Sequence, residues 1–244
     1  MRASVEKQSG KGKSADKNSI GKARASAGRS MGKARAAEKQ NTGNMGTSVG
    51  KNTDTPVLRE HWRAGNMLYP LPAVMVSCGR PGEKPNIITV AWAGTICSSP
   101  AMVSISVRPS RYSYAILRET GEFVINLTTE NLAYAADFCG VRSGREVDKF
   151  AQLHLTAEKA VHINAPIIAE SPVNIECRVQ QVLELGSHHM FIAEVMGVDV
   201  DGKYLDKNGK LHLNQAGLMV YSHGEYFGLG KALGKFGYSV QKRR

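Results

Sequence analysis

Three short stretches of this chain collect hydroxyls and cations at spacings that an anion site needs. In Ser143-Gly144-Arg145-Glu146-Val147-Asp148-Lys149-Phe150, the interval from Ser143 to Glu146 predicts a capping box and a helix beginning at Gly144. The unpaired N–H groups and positive dipole end of such a helix favour an anion, and Arg145 or Lys149 adds a charge-assisted contact. Phosphate is the natural candidate; a capped, solvated surface helix is the alternative. In Arg108-Pro109-Ser110-Arg111-Tyr112-Ser113-Tyr114, Ser110 stands where it can cap a helix while Arg108 and Arg111 face an anion. In the third stretch, Thr89, Trp92, Thr95, Cys97, Ser98 and Ser99 crowd small polar groups before Pro100, as expected of a loop that wraps a ligand. Each stretch alone fits a structural loop better than a ligand site. Three on one scaffold point to a phosphate-bearing ligand.

The elements that must position them read as mainly β. Tyr69-Pro70-Leu71-Pro72 is extended because proline restricts itself and its predecessor, and Pro56 to Trp62 reads as a short helical lead-in. Strands are expected at Ala73 to Ser77 and Asn86 to Ala93, with a turn-rich Gly79 to Pro85 between them. Another is expected at Met102 to Arg108, where Val103, Ile105 and Val107 alternate with Met102, Ser104, Ser106 and Arg108. Helices are expected at Arg111 to Glu119 and Asn131 to Cys139, and a strand at Phe123 to Leu127. Two long strands, Val173 to Leu183 and His189 to Val200, follow around a turn at Glu184 to His188. Strands without regular β-α alternation argue for a barrel or sandwich with peripheral helices and against a doubly wound sheet.

Composition divides the 244 residues unevenly. Residues 1–55 hold 12 Lys and Arg against 4 Asp and Glu, contain no aromatic residue and repeat GKARA at Gly21 and Gly32. This stretch reads as a disordered basic low-complexity tail, leaving 56–244 as the folded domain. Three uses of the tail stay open: a solvated extension, a tether to nucleic acid or an anionic surface, and a targeting peptide. No apolar run is long enough to span a membrane or to form a secretory signal, so a cytoplasmic location is expected. Cys78, Cys97, Cys139 and Cys177 form no CxxC pair and match no zinc spacing, so buried free thiols and no metal are expected. The glycine-rich run Gly228 to Gly237 lacks the GK[ST] ending of a phosphate-binding loop.

The folded part resembles the flavin reductase-like, FMN-binding split-barrel family, in particular its flavoredoxin-like branch. The resemblance runs through LYPLPAVMVSCG, KPNIITVAWAGTICSSPAMVSISVRPSRYSYAIL, ADFCGVRSGREVDKFA, APIIAESPVNIECRV, GSHHMFIAEV and YFGLGKALGKFGYSV, over about residues 65 to 240. The SGREVDKF octet and the NIITVAW to SSP segment are its more specific parts, and the basic tail has no counterpart. It implies a Greek-key split β-barrel that forms a homodimer with one FMN per subunit near the interface. Thr89, Ala91, Trp92, Thr95, Ile96, Cys97 and Ser98 would line the isoalloxazine and ribityl chain. Ser110, Arg111, Tyr112, Ser113, Ser143 and Lys149 would surround the phosphate. His189 falls where similar proteins carry a histidine near the flavin or nicotinamide, with a hydrogen-bonded packing histidine as the alternative, and Glu176 is expected in a structural charge pair. Cys97 is read as a small packing residue rather than a redox thiol. The implied activity passes electrons from NADH or NADPH through FMN to a flavin or redox-protein acceptor. The alternatives are a flavoredoxin-like carrier without pyridine nucleotide activity, and a non-enzymatic flavin-binding protein tethered by its tail.

Overall fold

The structure is a computed structural model and describes residues 58–241. The basic tail therefore lies outside the described residues, as does the start of the expected lead-in helix; residues 58–62 form no helix. Chain order is β1 (Leu71–Pro72), β2 (Val74–Cys78), β3 (Asn86–Val90), β4 (Ala93–Ser98), β5 (Ala101–Val107), α1 (Tyr112–Thr120) and β6 (Glu122–Asn126). Then come α2 (Ala133–Val141), α3 (Lys149–Leu153), β7 (Ala157–Glu158), β8 (Ile167–Ile168), β9 (Val173–Leu185), β10 (His188–Val200), β11 (Met219–Ser222) and β12 (Glu225–Gly228).

Seven strands form one antiparallel sheet in the order β3-β2-β6-β9-β10-β5-β4. Its two outer strands are consecutive in the chain and are joined only by Ala91 and Trp92. The sheet therefore curls until its ends meet at that corner, which gives the expected split β-barrel. A three-stranded sheet, β1-β11-β12, is formed separately.

Alternation fills the interior as the sequence predicts. Val103, Ile105 and Val107 of β5 are buried in the barrel core with Val76, Ile88, Phe123 and Phe191. Strand β2 is buried on both faces: Val74, Val76 and Cys78 face the barrel interior, while Met75 packs with Ile87 of β3, Ala136 and Cys139 of α2 and Phe150 of α3. This explains why its sequence is a continuous apolar run rather than an alternating one. Helix α2 lies close to β3, and Thr89 Oγ1 donates a hydrogen bond to the Ala136 carbonyl.

Several expectations are corrected. The octet Ser143 to Phe150 is not a helix from Gly144; Ser143 to Val147 is a turn in which the N–H groups of Glu146 and Val147 donate to the Ser143 carbonyl at 3.1 and 3.2 Å. Helix α3 starts at Lys149, and its cap is Asp148, whose side chain accepts from the Ala151 N–H at 3.1 Å. The Glu146 backbone N–H is spent in the turn, and the cap falls to Asp148. Ser110 likewise does not cap α1: Arg111 holds the cap position and makes no side-chain cap bond. The turn between the long strands is only Gly186-Ser187, with Leu185 and His188 paired directly and Gly186 in the left-handed region. Ala93 to Ser98 is a strand rather than a loop; as an exposed edge it carries no apolar alternation to betray it.

Glu176 is buried but has no cationic partner among the described residues; it accepts the N–H groups of Val161 and His162 at 2.9 and 2.6 Å. Three of the four thiols are buried, as expected, and burial pushes Cys78 and Cys177 up to about 12 and Cys139 up to about 11. Cys97 differs in being only partly buried.

Candidate functional site

Two adjoining cavities open where the barrel is split. The larger, of about 420 Å³, takes its walls from the end of β3 and its corner (Thr89 to Trp92), the end of β5 (Ser106 to Arg108) and the last turn of α2. Tyr221 and Tyr226 of the small sheet also line it. The smaller, of about 230 Å³, is enclosed by Ser110 to Ser113, Arg142 to Gly144, Asn86, Cys139 and Lys149. Ile88, Arg108 and Arg111 line both, so the two form one trough.

The smaller cavity is built for an anion. Arg108, Arg111, Arg142 and Lys149 reach it, and among the described residues none of them pairs with a carboxylate. Lys149 is 3% exposed, and its Nζ donates to the carbonyls of Ile87 at 2.6 Å and Cys139 at 2.7 Å. Burial pushes its pKa down, and the positive charge of Arg111 pushes in the same direction. A bound anion would relieve both effects. The first turn of α1 adds backbone N–H groups with no side-chain cap, its positive dipole end lying at this cavity. Asn86 fixes the floor by donating from Nδ2 to Ser113 Oγ at 2.7 Å.

The larger cavity is more apolar. Trp92 and His188 pack together on its wall with ring centroids 5.3 Å apart. Burial, followed by Arg108 and Arg111, holds the His188 pKa below its ordinary value, so this imidazole is neutral at pH 7. Opposite stands one acid, Asp137, which accepts a hydrogen bond from the Tyr226 hydroxyl at 3.2 Å. Burial and the Asp137 charge push that phenol up to about 12, so it remains a donor.

Of the sequence-predicted residues, Thr89, Ala91 and Trp92 line the larger cavity, and Ser110, Arg111, Tyr112, Ser113, Ser143 and Lys149 line the smaller. Thr95, Ile96, Cys97 and Ser98 line neither; they lie on edge strand β4. His189 also lies outside the trough, with Nδ1 2.7 Å from the Tyr114 hydroxyl. Its neighbour His188 faces the trough because successive strand residues point to opposite faces. A strand beginning at His189, as the sequence suggests, leaves His188 in the turn; in the structure His188 pairs with Leu185. Arg108, expected from the sequence to face an anion together with Arg111, lines both cavities. Asp137 and Arg142 at the end of α2, and Tyr221 and Tyr226 of the β11–β12 hairpin, come from two segments far apart in the chain with no local pattern to join them.

Comparison with known proteins bears on the family and the fold. Residues 66–230 match the family described as "Flavin reductase like domain". The chain is similar to the flavoredoxin of Desulfovibrio vulgaris (Miyazaki F), at 32% identity and TM-score 0.70, covering 75% of this chain and all of that one. It is also similar to a flavoredoxin from Methanosarcina acetivorans, at 25% identity and TM-score 0.67 over the same shares. A curated relative, the NADPH-flavin oxidoreductase of Streptomyces viridifaciens, is 25% identical over 143 residues, 57% of this chain and 73% of that protein. No helix among the described residues is long and apolar enough to cross a membrane.

Proposed function

Because the chain belongs to the flavin reductase-like family and is a flavin-related oxidoreductase, we propose that it holds FMN in the trough, takes electrons from NADH or NADPH and delivers them to a flavin or protein acceptor. The observation that carries this reading is a carboxylate-free cation cluster, the buried Lys149 with the exposed Arg108, Arg111 and Arg142, at one end of a cavity whose other end is aromatic. A phosphate-bearing ligand with a planar ring meets both requirements, and the donor set fits it. Lys149, Arg111 and the first turn of α1 would hold the phosphate, with Arg108 and Arg142 closing over it. Ala91, Trp92 and His188 would bound the ring, with the Tyr226 hydroxyl and Asp137 offering a donor and an acceptor to its polar atoms.

The cofactor, when bound, supplies hydride acceptance and electron release. The protein orients it, excludes water and fixes charge around it. Burial, followed by Arg108 and Arg111, holds the His188 pKa below its ordinary value, which disfavours a cation at the ring end. The cationic cluster lies beside the phosphate, and its potential favours an electron-rich ligand throughout the trough.

Homodimerisation is part of the same proposal. Strand β4 is an edge with an unpaired side, Ile96 on it is 48% exposed and Trp92 beside it 42%. A second copy seated there would cover both and would bring Thr95, Ile96, Cys97 and Ser98 against bound flavin. The likeness to two flavoredoxins favours a second reading, a carrier reduced by a protein rather than by pyridine nucleotide. Anaerobic addition of NADH or NADPH to the purified flavin-loaded protein separates the two. Bleaching of the yellow band is expected; a band that persists supports the carrier, and a protein that takes up no flavin overturns both.

A further inference from the structure

After β12 the chain leaves the folded body as an arm. Residues 229–241 contain no strand and no α-helix, only a single 3-10 turn at Tyr238–Val240. Among the described residues, one backbone hydrogen bond ties the arm down, from the Leu229 N–H to the Leu218 carbonyl at 3.2 Å. Its other backbone bonds, Tyr238 to Lys235 at 2.9 Å and Val240 to Gly237 at 3.2 Å, stay within it. The apolar side chains are correspondingly uncovered: Leu233 and Val240 are 92% and 83% exposed, and Phe236 is wholly so. A protein surface rarely leaves several large apolar side chains together in water unless something binds there. None of these residues lines the trough.

Their spacing says what would cover them. On a helix, at about 100° per residue, Leu229, Ala232, Leu233, Phe236 and Val240 fall on one face, while Lys231, Lys235 and Lys242 fall together on the other side. Residues 226–244 hold five cations, Lys231, Lys235, Lys242, Arg243 and Arg244, and no carboxylate. A protein groove would use the apolar face but not this unbroken positive charge, since lysine is depleted at protein interfaces. A planar anionic surface uses both faces, with the apolar side chains at the acyl boundary and the lysines among the headgroups. We infer that residues 229–244 fold into an amphipathic helix on the surface of an anionic lipid membrane, on which the protein lies without crossing it. Gly230, Gly234 and Gly237 weaken a helix in water, which accounts for the arm having none away from a membrane. Burial of the apolar face supplies what so short a helix lacks by itself.

The test mixes the full-length protein with vesicles of phosphatidylcholine alone and with vesicles that also carry phosphatidylglycerol, following co-sedimentation and helix content by circular dichroism. Expected is binding about tenfold tighter or more to the anionic vesicles, with a gain of helix. It should weaken about tenfold in Lys231→Gln/Lys235→Gln and vanish in Leu233→Asp/Phe236→Asp. All four side chains are exposed, so melting temperature and flavin uptake should stay at wild-type values. Wild-type binding by Leu233→Asp/Phe236→Asp overturns the inference and moves the attraction to the basic residues 1–55. Equal binding to both kinds of vesicle, or to neither, also overturns it. A wild type that sediments as a dimer, falls to a monomer in Leu233→Asp/Phe236→Asp and binds no vesicle overturns it and assigns the arm to a second copy of the chain.

Discussion

Replacing Lys149 by methionine tests the anion site at its anchor. The methionine stem keeps the packing and removes the ammonium, so the effect on the unliganded protein has two opposed parts. Two charge-assisted hydrogen bonds, to the Ile87 and Cys139 carbonyls, disappear, at about 1.5–3 kcal/mol each. Against this, the protein no longer carries a desolvated cation repelled by Arg111, a penalty of several kcal/mol per ion. The net expected cost in urea unfolding of the flavin-free protein is about 1–2 kcal/mol. Flavin binding has no such offset, because the anion is what compensates the buried charge. Loss of one charge-assisted contact of about 1.5–3 kcal/mol raises the Kd roughly tenfold to a hundredfold. Arg111→Ala is the control: this residue is exposed and makes no side-chain cap bond, so binding should weaken about tenfold with stability within about 0.5 kcal/mol. Fluorescence titration with FMN reads the first quantity and urea unfolding the second. A Lys149→Met protein that unfolds early yet binds FMN as the wild type does would show that Lys149 only ties α2 to β3, and the phosphate assignment would be refuted.

Other expectations follow from the same geometry. His188→Ala should weaken FMN binding and shift the flavin absorption band, whereas His189→Ala should leave both unchanged and cost about 0.5–1.5 kcal/mol through the lost Tyr114 bond; the reverse pattern would place the functional imidazole at His189. Gly144→Ala should destabilise by about 1–3 kcal/mol and impair FMN binding, since Asn86 is tied to Ser113 and cannot yield to the new methyl; wild-type melting and affinity would contradict this. Asp199 is held above its ordinary pKa of 3.8 by burial and then by Glu176, and its Oδ2 is buried without a hydrogen-bond partner. The native state therefore keeps this proton to higher pH than the unfolded chain. That contribution is full below 3.8 and is lost as pH rises through the folded-state pKa. Asp199→Asn should remove this decline and raise the melting temperature at neutral pH, an advantage that vanishes in acid; a variant that melts lower at pH 7 would show that the charged form is the native one.

The amino-acid sequence determined what short-range physics controls. Alternation of Val103, Ile105 and Val107 with polar residues specified β5 and its buried face, since strand side chains alternate whatever surrounds them. Clustering of cations and hydroxyls in two stretches marked the anion chamber, because its lining comes largely from two continuous loops. Four things were left to the tertiary structure. The helix start near Ser143 was locally ambiguous, and the turn that seats Gly144 against Asn86 and Tyr112 gave the cap to Asp148. Strand β4 carries no apolar face of its own and became a strand only by pairing with β5. Which of two adjacent histidines faces the trough depended on a one-residue difference in where the hairpin turns, and a one-residue difference reverses the face of a strand. Asp137, Tyr221 and Tyr226 meet at the aromatic chamber from segments far apart in the chain, and only the packing of α2 and the small sheet beside the barrel's open corner brings them together.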